Sequence, residues 1–208
     1  FVSHYIGDVE NYETLQALEV GIDHYKALFK INPVAIAADL HPDYLATKFA
    51  KNLSWERNLP LFHVQHHHAH IAACMAENGC TAEESVIGFA FDGTGYGEDG
   101  NIWGSEVLIC DYAHSDRIYH LDYVPQPSGD AAAKHVSRMA LSYLWHHGIP
   151  WDEDLPPVAY LCADERSMLN SMLTNRINSP LTSSMGRLFD AVSSLLGVCQ
   201  LSTYEGQA

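Results

Sequence analysis

Residues 63–70 read HVQHHHAH, and five of these eight positions are histidine. His66 and His70 stand four apart. A helix starting near His66 would put both on one face, one turn from each other, where two neutral imidazoles can hold a single metal ion. The positive end of the helix dipole disfavours imidazolium there, which keeps a ring lone pair for the metal. The run that follows, IAACMAENG, is apolar on nearly every face and predicts a helix buried on most sides, with Cys74 in its core. Buried imidazole nitrogens are costly unless a cation or a hydrogen bond satisfies them. Two plainer readings stand beside metal binding: histidines satisfied within a core, or histidines lying on a polar helix start. An expression tag does not fit, because strand-like sequence precedes the cluster and helix-like sequence follows it. Rotation of about 100° per residue turns His67 and His68 off the face of His66. His63 is left out of the ligand set.

The second chemical stretch is FDGTGYGEDG, residues 91–100. Gly93, Gly95 and Gly97 let the backbone approach a ligand closely, and their N–H groups can form an anion cradle. Asp92 stands where the preceding apolar strand ends, a common position for a carboxylate that touches metal or positions water. The alternative is an ordinary hairpin turn whose glycines supply positive φ and whose acids face water. No Walker-type lysine accompanies the stretch, so phosphate binding would rest on backbone and metal.

These groups need elements to carry them. Apolar residues at helical spacing (Leu15, Leu18, Val20, Ile22, Tyr25, Leu28) predict a helix over 11–29, stopped by Asn32-Pro33. VAIAADL reads as a buried strand, and Pro42 opens a helix through DYLATKFAKNL. LFHVQ is a second strand, and the histidine helix closes at Asn78-Gly79. SVIGFAF and NIWGSEVLIC flank the glycine-rich stretch as a β-hairpin, with DRIYHLDYVPQP as a third strand. Helices follow in DAAAKHVSRMALSYLWHHG, DERSMLNSMLTNRI and SMGRLFDAVSSLLG, with Gly148, Asn178 and Gly197 at their ends. The order predicts an α/β domain with a mixed sheet.

At 208 residues, 47% apolar and 18% charged, the chain can bury a substantial core. A formal charge of −15 repels phosphate backbones and argues against nucleic acid as a partner. Five widely spaced cysteines without a CxxC pair argue for a reducing compartment, with the cytoplasm as the default, and against a disulfide framework. No apolar run approaches the length of a membrane span. The start at Phe1 and the end on STYEGQA read as cuts through a longer protein.

Taken together, FVSHYIGDVEN, DLHPDYLATKFA, VQHHHAHIAACMAENG, FAFDGTGYGEDGNIWGSE and SMGRLFDAVSSLLG with YEGQA resemble the carboxy-terminal catalytic module of the HypF carbamoyltransferase family. That module is related to the universal tRNA threonylcarbamoyladenosine transferase. The resemblance implies an actin-like (ASKHA, ribonuclease H-like) α/β fold of mixed sheets with flanking helices, incomplete here. It also implies a nucleotide cleft and a bound iron or zinc ion. All of 1–208 would belong to one module, with 1–84 as a first lobe carrying the histidine helix and 85–208 as part of a second.

In that family, ATP and carbamoyl phosphate give carbamoyl-adenylate in a YrdC-like domain. The present module then passes the carbamoyl group to the carboxy-terminal cysteine thiol of HypE, on the way to the cyanide ligands of [NiFe]-hydrogenase. The resemblance assigns His66, His70 and Asp92 to the metal, with Asp92 also catalytic. It assigns Gly93, Thr94 and Gly95 to the phosphate-facing loop, and Gly186 and Asp190 to the nucleoside, the carboxylate on ribose hydroxyls. A further metal-ligating aspartate of the family is expected beyond residue 208. PSGDAAAKHVSRMA stands in place of the family's usual PGGD run, at Ser128-Gly129-Asp130. Two other readings of the residues are a natural-product O-carbamoyltransferase, which shares the module, and a non-catalytic module that binds nucleotide or metal.

Overall fold

The computed structural model describes residues 2–204 and 206–208. Phe1 and Glu205, which fall in two of the motifs quoted above, lie outside the described residues. The chain divides into two units, 1–69 and 70–208.

In the first unit the expected helix forms as α1, Tyr12–Phe29. The Asn11 side chain accepts the Thr14 amide at 2.9 Å, satisfying one of the donors that a helix start leaves without an intrahelical partner. The apolar spacing does not produce a wide buried face: Gly21 is the buried residue, while Val20 and Leu28 are exposed. Strands β1 (Ile36–Asp39) and β2 (Leu61–Val64) pair in parallel, Ile36 opposite Leu61 and Asp39 opposite Val64. Parallel neighbours need a crossover, and α2 (Leu45–Arg57) supplies it. Pro42 lies in the turn ahead of α2 and not in its first helical turn. The reason is local: the Asp39 carboxylate accepts the His41 amide at 2.7 Å, so residues after β1 fold into a turn before the helix begins.

Helix α3 spans His66–Glu77 and ends as expected, with Gly79 in the left-handed region at φ 71. Ile71 and Met75 pack against Ala90, Leu108 and Cys110 of the second unit's sheet. Besides these two, His67 and His68 of α3 are buried, while Cys74 is exposed, contrary to the expectation of a helix buried on most sides. Alanine and cysteine present little apolar area, so leaving them at the surface costs little hydrophobic free energy.

The second unit is built on a hairpin of β3 (Val86–Tyr96) and β4 (Ile102–Cys110), antiparallel, with Val86 opposite Cys110. Strand β5 (Ser115–His120) adds to β4. Two very short strands, β6 (Val124–Pro125) and β7 (Leu181–Thr182), complete the sheet, β7 running parallel to β4 at Ile102. This second sheet is thus mixed, beside the parallel pair of the first unit, in keeping with the expected α/β class. Residues 129–133 form a 3-10 turn before α4 (Val136–His146), followed by α5 (Pro156–Tyr160), α6 (Ala163–Asn175) and α7 (Met185–Leu195). Leu141, Leu144, Val158, Leu161, Leu169 and Leu173 close the helical core. Met139 and Ala140 of α4 meet Ala191 of α7 in a second cluster. Arg176, at φ 53, caps α6 two residues before the expected Asn178, which is itself left-handed at φ 45. No helix among the described residues is long and apolar enough to cross a membrane.

Leu173 is 1% exposed in the helical core, whereas Val20 on α1 is 64% exposed. Leu173→Ala is expected to lower the unfolding free energy by about 2–5 kcal/mol. Val20→Ala should stay within about 0.5 kcal/mol of the parent. Urea denaturation followed by circular dichroism separates the two.

Candidate functional site

His66 and His70 occupy successive turns of α3, so the helix itself presents their rings along one face. His70 Nε2 lies 3.7 Å from Asp92 Oδ2. The other carboxylate oxygen accepts the Gly93 amide at 2.6 Å, a local bond that fixes which oxygen is turned toward the helix. His66 Nδ1 meets Asp39 Oδ2 at 2.9 Å within the first unit. His67 and His68 are buried, in line with their rotation off the face of His66. An apolar groove of about 450 Å³ opens beside His70 between α3 and β3, lined in part by Ile71, Met75, Val86 and Phe89.

The glycine-rich stretch is strand for most of its length. β3 continues to Tyr96, with its pairing to β4 broken between Phe91 and Gly95. The reversal itself comes later, where the Gly97 amide donates to the Asn101 carbonyl and Gly100 takes φ 79. None of Gly93, Gly95 and Gly97 is in the left-handed region, so the positive φ that an ordinary turn at these glycines would need is absent. Asp92, Gly93 and Thr94 lie in an irregular stretch of an antiparallel pair, a device that re-aims side chains. Thr94 is exposed and Gly95 buried.

Two motifs far apart in sequence meet at this irregular stretch. The Ser184 hydroxyl lies 3.0 Å from the Asp92 carbonyl and 2.8 Å from the Gly93 carbonyl, positioned to donate to them. It also accepts the Arg187 amide at 3.1 Å, which makes it the N-cap of α7. The close approach depends on missing side chains. A Cβ on Gly186 would stand 3.0 Å from Gly93 Cα, and one on Gly104 would stand 2.6 Å from the Asp92 carbonyl oxygen. On the far side of Gly93, a Cβ would meet nothing within 4 Å, so that face is open. The expected residues Asp92, Gly93 and Gly186 are therefore neighbours.

Asp190 lies one turn along α7 and is ion-paired to Arg187 at 2.7 Å. Burial pushes its carboxyl up from the ordinary range, with Arg187 opposing the shift. Ser128 and Gly129 are both left-handed, at φ 72 and 53. Arg138 donates to the Ser128 hydroxyl at 2.9 Å, and the Gln126 amide donates to the Gly129 carbonyl at 3.0 Å.

Sequence reasoning missed the group behind the junction. Glu106 is fully buried on β4 and its Oε1 accepts the Gly104 amide (2.9 Å), the Ser105 amide (3.1 Å) and the Ser183 hydroxyl (2.5 Å). Its Oε2 takes Arg117 Nε at 2.6 Å. The guanidinium sits 4.0 Å over the Trp103 ring and reaches Tyr123 and Asp99. Burial alone would raise the Asp99 carboxyl, but hydrogen bonds from Tyr123, Asn101 and Trp103 outweigh it and hold it well below the usual range. A glutamate inside WGSE, within an otherwise apolar strand, was the available signal.

Arg117→Ala would leave Glu106 buried without its cation, and a loss of about 3–5 kcal/mol is expected. Arg166→Ala removes a pair to Glu153, whose side chain is 77% exposed, and should cost at most about 1 kcal/mol. Urea midpoints of the two variants test the ordering. Tyr143 on α4 gives a pH test. Burial pushes its hydroxyl up to about 12, with Arg187 pulling down and Asp190 pushing up. A group raised on folding contributes stability that is whole below its ordinary pKa and lost as pH climbs through the folded value. The parent should lose stability between about pH 10 and 12, and Tyr143→Phe should lose less over that window in thermal melts.

A family model described as a HypF Kae1-like domain matches residues 1–77. A second, described as a carbamoyltransferase Kae1-like domain, second subdomain, matches residues 88–208. Carbamoyltransferase HypF2 of Cupriavidus necator is 43% identical over 208 residues, covering all of this chain and 25% of that protein. Carbamoyltransferase HypF of a Synechocystis species is 40% identical, again over the whole chain and 28% of the relative. A crystal structure of full-length HypF in a phosphate- and nucleotide-bound form superposes with a TM-score of 0.91 at 42% identity, covering 100% of this chain and 26% of that one. A HypF structure from T. kodakarensis gives 0.85 at 37% identity, covering 98% and 28%. The chain thus spans about a quarter of the length of these relatives.

Proposed function

The chain belongs to the HypF carbamoyltransferase family, and from that premise we propose that it passes a carbamoyl group from carbamoyl-adenylate to the carboxy-terminal cysteine thiol of HypE. The observation that carries this reading is the meeting of the Asp92–Gly93 stretch with the start of α7, beside His70. A helix start offers amide hydrogens and the positive end of the dipole, which suits the adenylate phosphate. The open face of Gly93 leaves room for that phosphate to approach the backbone, with Thr94 and Gly95 continuing the contact. Gly186 keeps α7 close to the strand, and Asp190, braced by Arg187, accepts hydrogen bonds from the ribose hydroxyls.

His66, His70 and Asp92 each offer one donor atom, and two imidazoles with a carboxylate form a set that divalent iron or zinc accepts. These three residues would hold the ion, which would supply Lewis-acid stabilisation of negative charge at the phosphate. The nucleophile comes from the partner. Its thiolate attacks the carbamoyl carbon, a C–S bond forms, and the bond from that carbon to the phosphate oxygen breaks as AMP leaves. This chain holds the adenylate in line and shields its charge, so its five cysteines take no part.

Carbamoyl-adenylate would be made from ATP and carbamoyl phosphate in a YrdC-like domain of the whole protein. Residues 1–84 would form a first lobe carrying the histidine helix, and 85–208 part of a second. The free cysteines favour a reducing cytoplasm as the site of action.

Incubation of the chain with carbamoyl-adenylate and a HypE carboxy-terminal peptide, read by mass spectrometry, is the direct test. Carbamoylation of the peptide cysteine is expected, reduced at least about 100-fold by Asp92→Asn and by Gly186→Val. Binding of the adenylate without transfer would leave a binding module and overturn the catalytic reading.

A further inference from the structure

We infer that Asp39 is a positioning residue, orienting the His66 imidazole so that Nε2 is the nitrogen offered to a divalent metal. The inference rests on the metal assignment just proposed and adds a residue to it. The observation lies wholly within the first unit. His66 Nδ1 stands 2.9 Å from Asp39 Oδ2, with the two side chains 28% and 23% exposed. A carboxylate accepts and cannot donate, so the bond requires the hydrogen on Nδ1. A ring with Nδ1–H bound to a carboxylate carries its lone pair on Nε2, and its rotation about the side-chain bonds is fixed.

The backbone explains why this carboxylate is in place. Asp39 ends β1 and pairs in register with Val64 of β2, two residues before His66 begins α3. Its second oxygen, Oδ1, is held by the His41 amide at 2.7 Å. Its carbonyl is 3.3 Å from His63 Nδ1 and from the Thr47 hydroxyl. The carboxylate therefore cannot turn away without breaking the turn that leads into α2. Metal-ligating histidines commonly hold their other nitrogen to a carboxylate in this way, and losing that partner costs about 10–100-fold in metal affinity. No role in transfer follows for Asp39, because it acts through His66.

The test uses the intact chain with isotope-labelled histidine and Zn(II) as the probe. Long-range 15N–1H spectra read the His66 tautomer in the metal-free chain and again after Zn(II) is added. Nδ1 should carry the proton in both states, and the Nε2 resonance should move on loading. Asp39→Ala should weaken Zn(II) binding about 10–100-fold in competition with a chromophoric chelator and mix the tautomers. Asp39→Asn keeps an acceptor for the His41 amide and should fold like the parent while still losing part of the affinity. Should either variant fail to fold, the parent's tautomer decides alone. An Nε2–H tautomer, metal on Nδ1, or Asp39→Ala affinity within about twofold of the parent overturns the inference. If His70→Ala and His66→Ala both bind Zn(II) as the parent does, the metal assignment fails instead. The orienting bond is then judged on the metal-free tautomer.

Discussion

Glu106 carries the second unit's most demanding constraint. Its carboxylate is fully removed from water, where an ion survives only if its lone pairs are filled and a counter-charge is near. Four donors meet that demand, and each ties down a different piece of the molecule. The Gly104 and Ser105 amides fix β4 against the irregular end of β3. Ser183 fixes the residue immediately before the α7 cap. Arg117 brings β5 in and is itself pinned by Trp103, Tyr123 and Asp99. The carboxylate thus adds a shared anchor to elements that backbone pairing and Ser184 also hold together.

The consequence is a junction whose precision comes from backbone, not from long charged side chains. Ser184 bonds to strand carbonyls rather than side chains, and glycines at 104 and 186 let main chain touch main chain. Such a surface suits an anion in a chain with a formal charge of −15. A field of surface lysines acts over distances that salt screens, whereas helix-end amides act by hydrogen bonds at contact. The nearby cation, Arg187, is already committed to Asp190, so the junction can stay rigid without presenting unpaired charge.

Much of the fold could be read from local signals. The periodicity of residues 11–29, the parallel β1–α2–β2 unit, the HxxxH helix and its Asn78-Gly79 stop, and the β3–β4 hairpin all carry their cues within a few residues. What escaped has no local cue. Strands β6 and β7 are two residues each, and α5 is five residues opened by two prolines. Cys74 is exposed: hydrophobicity around α3 says nothing about how many faces the sheet can cover. Glycines mark both a turn and a close approach: β3 runs on to Tyr96 through the glycine-rich stretch, the reversal comes only at its end, and a Cβ on Gly97 would collide with the Trp103 ring. Glu106 and Ser183 are 77 positions apart, a pairing that only the folded chain reveals.

The proposed donor set shows the same division between what is local and what is long-range. The spacing of His66 and His70 is a property of one helix and needs nothing else to align two rings. The third donor is another matter. Asp92 faces His70 because β3 breaks register at that point, because Gly93 claims one carboxylate oxygen, and because Ile71 and Met75 seat the helix on the strand's sheet. An aspartate in a regular strand would alternate strictly with its neighbours, and one residue of slip would turn it to the opposite face. The irregular pairing between Phe91 and Gly95 lifts that alternation at the one place where the side chain must turn toward a helix while its own backbone carbonyl turns toward Ser184.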